Sequence, residues 1–267
     1  MKFLKTLFAL FAVLILSVGF GETAEKVKVG IVGESDEEIW APVVKKLAAE
    51  GIEIELVNFS DYTLPNAALD AGEIDLNAFQ HYNYLNNESK THGYRISAIG
   101  DTYLSAMCVY SKKIKSVKDL KKGDKVAIPN DAVNTGRALV VLQGTGLIGL
   151  RAVENRLYET TDIASNPLEI EIVPVDAAQV PSILPDVAAG VINGNYALDF
   201  GLSPAKDSIF YDDLSFYKDK GYVNVIAART KDLDSELCKR VVRAYQSDEV
   251  KKVYQEYFEG SYLPAWR

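Results

Sequence analysis

The stretch "IPNDAVNTGRAL" (128–139) closes a β-like run with Pro-Asn-Asp and continues as a helix whose pattern starts near Asn134. That spacing puts Arg137 in the first helical turn, where unpaired N–H groups already carry partial positive charge. An arginine there makes physical sense when an anion shares the site. A guanidinium grips a carboxylate through two parallel hydrogen bonds, and helix N–H groups add donors. Asn134 has the side chain of an N-cap. From these residues alone, a solvated Arg137 paired with Asp131 is the competing reading.

Other chemistry is poorly represented. No GxSxG elbow, HExxH, P-loop or GxGxxG opens any helix. His81 and His92 stand eleven apart without acids at metal-ligand spacing, and Cys108 lies in an apolar stretch that suits an inert thiol. "DEE" at 36–38 reads as the acidic first turn of a helix. The expectation is a protein with no catalytic residues, no metal and no cofactor. Cys108 and Cys238 read as two small apolar residues rather than a disulfide.

The elements that position these residues alternate. "KVKVGIVG" (26–33), "IEIELVNF" (52–59) and "IDLNAF" (74–79) read as strands, separated by helical stretches at 36–51 and 64–72. A helix up to Gly93 and β-rich stretches at 94–100 and 102–111 follow. Composition then turns basic in "KKIKSVKDLKKGDK" (112–125), and a second α/β series begins with "VAIPN" and a helix from about 135 to 145. "YVNVIAAR" (222–229) is again a strand, and 233–258 is mostly helical. This order suits two α/β lobes around largely parallel sheets, with the second lobe inserted into the first. Ligands of open α/β sheets bind beyond the carboxyl ends of strands, which directs attention to "NAFQH", "IPNDAVNTGR" and "VINGNY".

Two lysines, an apolar run from Leu7 to Val18 and small residues after it have the layout of a secretory signal peptide, assigned to residues 1–21. The mature chain is expected to be a soluble periplasmic or secreted monomer. With cysteine only at 108 and 238, a lipid anchor on an N-terminal cysteine is not expected. Removing residues 1–21 takes out Lys2 and Lys5 and no acid, so the net charge of −8 becomes −10. An acidic chain argues against nucleic acid or an anionic membrane as partner.

Seven segments recur together in one order: "NFSDYTLPNAALDAGEIDLNAFQHYNYL", "GYRISAIGDTY", "YSKKIKS", "VAIPNDAVNTGRAL", "VINGNYA", "SPAKDSIF" and "YVNVIAAR". Through them the chain resembles the NlpA/MetQ family, the methionine-binding receptors of ABC importers, from about Val27 to Trp266. The resemblance implies a type II periplasmic-binding-protein fold. Each of its two lobes is a mixed, mainly parallel sheet flanked by helices, and a hinge joins them. Lobe I is expected at 26–111 and 206–267 and lobe II at 112–205, with hinge connections near 111–113 and 204–207. It also implies capture of methionine, L- and possibly D-, and delivery to an ABC permease. A different small apolar amino acid, a methionine-containing peptide, or an adhesin role on the same fold are the alternatives.

The resemblance also assigns roles. Arg137 and Asn134 would hold the ligand carboxylate. Asn193 would accept from the ammonium, with Asn195 a weaker candidate. Phe79, His81, Tyr84 and Tyr196, with Tyr62 and Tyr103 in second rank, would wall the side-chain slot, where a thioether packs well on ring edges. In "LSAMCVYS", Ser105 and Ala106 stand where members commonly carry an aromatic-Pro pair, which opens the slot to a different ligand.

Overall fold

A computed structural model describes residues 25–212, 214, 221–259 and 261–266. The leader-like residues 1–21 lie outside them. The first lobe opens with β1 (Glu25–Val32), α1 (Ser35–Ala48), β2 (Ile52–Phe59) and α2 (Pro65–Ala71). It continues with β3 (Leu76–His81), α3 (Tyr82–His92), β4 (Ile96–Asp101) and β5 (Tyr103–Ser105). The chain then crosses into the second lobe. There it forms β6 (Cys108–Tyr110), β7 (Lys125–Pro129), α4 (Ala132–Gly144), and the short pair β8 (Gly149–Leu150) and β9 (Ile163–Ser165). After these come β10 (Glu171–Val175), β11 (Ala189–Ile192), α5 (Gly194–Asp199), α6 (Pro204–Asp207) and β12 (Ser208–Phe210). The chain returns to the first lobe with β13 (Asn224–Arg229), α7 (Glu236–Tyr245), α8 (Asp248–Glu256) and β14 (Tyr262–Pro264).

Two five-stranded mixed sheets result, in the orders β2-β1-β3-β13-β4 and β10-β7-β11-β6-β12. The first three strands of each are parallel and the last two run antiparallel to their neighbours. This is the two-lobed α/β arrangement expected. The residue boundaries differ. β6 and β12 pair with each other in the second sheet, so the chain leaves the first lobe after Ser105, is still in the second at Phe210 and is back in the first by Asn224. Those crossings lie outside the expected borders at 111/112 and 205/206. The stretch 102–111, which reads as one β segment, is split. β5 pairs with β14, and β6 joins the second sheet.

Each lobe has its own core. In the first, Ile39, Trp40, Val43 and Leu47 form the apolar stripe of α1 and pack with Val27, Val29 and Ile31 of β1. The helical spacing of those four residues, set between exposed Glu37, Glu38, Lys45 and Lys46, lays α1 along the sheet. Tyr245 and Tyr254 from α7 and α8 close the same core. In the second lobe, Val126 and Ile128 of β7 pack with Ala138, Leu139 and Leu142 of α4. A third cluster, including Val32, Phe59, Tyr62, Ile192, Tyr196 and Ala197, joins the two lobes. Cys108 is buried and Cys238 half-buried, and both are free thiols. Burial pushes the Cys108 thiol up to about 11, as suits an inert group.

Candidate ligand-binding site

The parallel strands of both sheets aim their carboxyl ends at the space between the lobes. A small cavity lined by residues of both lobes lies there. Tyr62, Phe79, His81, Tyr84 and Tyr103 line it from the first lobe. Asn134, Arg137, Asn193 and Asn195 line it from the second. Of the residues proposed from sequence, only Tyr196 stands back from the cavity. It packs behind Tyr62 with ring centroids 4.8 Å apart.

Arg137 is 3% exposed, and its setting corrects the sequence reading. Asp131, not Asn134, caps α4: its carboxylate accepts the Asn134 N–H at 2.9 Å, and its two oxygens lie 3.1 and 3.0 Å from the donating Asn134 amide nitrogen. The helix therefore starts at Ala132, and Arg137 sits in its second turn. The N–H groups expected to meet an anion are already engaged, Asn134 with the Asp131 carboxylate and Thr135 with the Asp131 carbonyl. Asp131 is likewise not the partner of Arg137. The guanidinium donates to the Ser105 carbonyl at 2.7 Å and pairs with Asp212 at 3.5 Å. Its face lies 4.6 Å from the centre of the Tyr222 ring. Burial of this cation is thus supported by groups from both interlobe crossings rather than by a helix end.

His81 ends β3 and caps α3, its Nδ1 accepting the Tyr84 N–H at 3.1 Å. That bond places the remaining proton on Nε2. Nε2 is buried beside Asn134 but makes no hydrogen bond of regular geometry. Burial, and then the Arg137 charge, hold the ring's pKa down to about 3. The imidazole is therefore neutral and offers one unmatched donor to the cavity. A folded-state pKa below the unfolded value of about 6.5 means that the unfolded chain binds the proton more readily. Stability from this group is then complete above pH 6.5 and falls as pH drops toward 3. Between pH 7 and pH 5 the wild type is expected to lose about 2 kcal/mol more than His81→Gln, measured by urea unfolding at both pH values.

Asn193 is the N-cap residue of α5, with no side-chain cap bond of its own, so the turn role common for such an asparagine does not hold. Its amide nitrogen donates to Asn134 Oδ1 at 3.0 Å, and its Oδ1 is buried without a partner. Asn195 is tied up across the cleft. Its Oδ1 accepts from the Tyr62 hydroxyl, and its amide nitrogen reaches the Val32 carbonyl at 3.4 Å. Tyr62, Phe79 and Tyr84 form one aromatic wall, with centroids 5.7 to 6.0 Å apart.

Sequence reasoning missed three lining residues. Gln80 is locked by bonds to Asn66 and Asn77. Gly194 approaches Ser105 so closely that a Cβ would stand 3.2 Å from the serine side chain. Asn224 opens β13 and donates to the Tyr103 carbonyl at 3.3 Å. β13 runs antiparallel to β3 and pairs Asn224 with His81, so its amino end shares the edge where parallel strands end. Looking for strands antiparallel to "NAFQH" was the signal that could have found it. Ser105, noted for its departure from the family pattern, also lines the cavity.

The model of the NlpA lipoprotein family matches residues 27–266. The chain belongs to the NlpA lipoprotein family. Among its relatives, "Probable D-methionine-binding lipoprotein MetQ" of Vibrio cholerae is 42% identical, covering 100% of this chain and 98% of that one. "D-methionine-binding lipoprotein MetQ" of Escherichia coli K12 is 43% identical over 90% of this chain and 88% of its own. A nutrient-binding protein from Burkholderia cenocepacia, solved bound to methionine, superposes with a TM-score of 0.85 at 45% identity. That match covers 90% of this chain and all of the other. The Vibrio and Escherichia relatives carry lipoprotein names. Among the described residues no helix is long and apolar enough to cross a membrane.

Proposed function

We propose that this NlpA-family chain is the substrate-binding protein of an ABC importer. It captures methionine between its lobes and delivers it to the permease as a monomeric receptor outside the cytoplasmic membrane, without catalysis. One observation carries the reading. An unmatched buried donor, His81 Nε2–H, and an unmatched buried acceptor, Asn193 Oδ1, line one small cavity beside a buried guanidinium. A free amino acid is complementary to that set, because its carboxylate needs donors and its ammonium needs acceptors. Arg137 and His81 serve the carboxylate, and Asn193 serves the ammonium. Tyr62, Phe79 and Tyr84 take the thioether, whose sulfur packs on ring edges. The relatives' names and the methionine in the Burkholderia structure support this ligand.

Closure works by selection: a ligand bridging Arg137 and Asn193 to His81 makes both sets of contacts only when the lobes are together. The test is mass spectrometry of small molecules released from the purified, denatured protein, followed by thermal shift with L- and D-methionine. Methionine released, with a melting temperature that rises on adding it back, is the expected outcome. Release of another amino acid, with no shift by either methionine, would move specificity to Ser105 and its neighbours.

A further inference from the structure

α5 begins beside the cavity at Asn193 and ends at Asp199. There its carboxylate leaves the second lobe's own contacts. Asp199 Oδ1 accepts the backbone N–H of Ser35, 164 residues earlier, at 2.8 Å. Ser35 opens α1, a 14-residue helix of the first lobe whose own cap residue, Glu34, supplies no side-chain bond. The free donors of a helix N-terminus favour an acceptor, and a carboxylate there also interacts well with the helix dipole. Here the acceptor comes from the opposite lobe.

The approach is close. Gly33 has φ +98°, and a Cβ on it would stand 1.9 Å from Asp199 Oδ2. Glycine alone supplies both that dihedral and that space. Around the contact, Glu34, Asp36, Glu37 and Glu38 crowd the same helix end. Asp36 is 2% exposed with one carboxylate oxygen unpartnered. Like charges oppose the approach of Asp199 from a distance, so the contact is favourable only once the Ser35 N–H is within bonding reach. Asn195, on the same short helix, bonds Tyr62 and Val32 of the first lobe, and Leu198 packs on the first-lobe core.

We propose that Asp199 is a positioning residue for ligand capture: it caps α1 across the cleft in the closed form alone, and so raises ligand affinity without touching the ligand. The inference rests on the receptor reading above, since affinity for a closing receptor scales with the population of the closed form.

The test uses the whole mature chain with L-methionine as probe. Asp199→Ala is expected to weaken methionine binding about tenfold, equivalent to about 1.4 kcal/mol, with faster dissociation. The melting temperature of the ligand-free protein should stay at the wild-type value, because the open form lacks the contact. Asp199→Asn, which keeps an acceptor oxygen, should recover most of the affinity. An unchanged dissociation constant in Asp199→Ala overturns the proposal. So does an affinity loss matched by a lower ligand-free melting temperature, or one that Asp199→Asn fails to recover. Should wild type itself not bind L-methionine, the methionine reading fails separately, and X-ray scattering of both proteins at one sub-saturating concentration of the small molecule released on denaturation decides the latch. A larger radius of gyration in Asp199→Ala supports it, and identical curves overturn it.

Discussion

Arg137→Ala is expected to weaken methionine binding by about 2–5 kcal/mol, roughly thirty- to several-thousand-fold in dissociation constant. The size follows from where the group sits. Arg137 is buried in the cavity wall, and the same side chain reaches Ser105 and Asp212 on the two interlobe crossings. A ligand carboxylate buried there without it would face the His81 donor alone, and an under-solvated carboxylate is costly. The substitution also takes an ion-pair partner from Asp212, which is 7% exposed, so some stability is lost with it. Titration calorimetry on protein shown to be folded by circular dichroism separates the two effects. Arg137→Lys keeps the charge but not the planar fork, and should fall between wild type and alanine. Methionine affinity in Arg137→Ala equal to wild type would remove this residue from the site.

Asn193→Ala is expected to cost about 1.5–3 kcal/mol of methionine affinity, the usual worth of a hydrogen bond to a charged group. Its Oδ1 is an acceptor that the folded chain leaves unmatched, so the folded state loses no bond at that atom when the side chain goes. The bond from its amide nitrogen to Asn134 Oδ1 is lost, and that part appears as a small drop in melting temperature. The discriminating measurement pairs the variant with a methionine analogue whose amino group is replaced by hydroxyl. Wild type should prefer methionine strongly, and Asn193→Ala should lose most of that preference. Equal discrimination by both proteins would mean that the ammonium is held elsewhere, with Asn224 another cavity-lining amide to examine.

Much of this was legible in the linear chain because it depends on local pattern. Alternating strands and helices, each ended by glycine or begun by a capping residue, predict the α/β class. β2 occupies 52–59 as its alternation indicates. Strand ends followed by polar residues pointed to "NAFQH", "IPNDAVNTGR" and "VINGNY", and the structure brings all three to one cavity. Local competition was harder to read. Asp131 and Asn134 are both good caps, and the chain uses Asp131 because its carboxylate accepts the Asn134 N–H and also holds the Asn134 side chain. The helix start, and with it the expected anion site at the helix end, shifted by one turn.

By itself the sequence determined the two-lobed α/β class, the family, and most of the side chains that face the cleft, because hydrophobic period, capping residues and ordered motifs are all properties of neighbouring residues. Only the tertiary structure decided what those side chains do to one another. Arg137 meets Asp212, 75 positions away, and Asn224 stands opposite His81 through an antiparallel pairing no local pattern announces. β6 and β12 pair in the second sheet rather than the first, and Asp199 reaches a helix that begins 164 residues before it. The reason is physical: a buried polar group takes whichever partner the packed lobes bring within about 3 Å, and that choice is made by strand order and lobe closure, not by sequence distance.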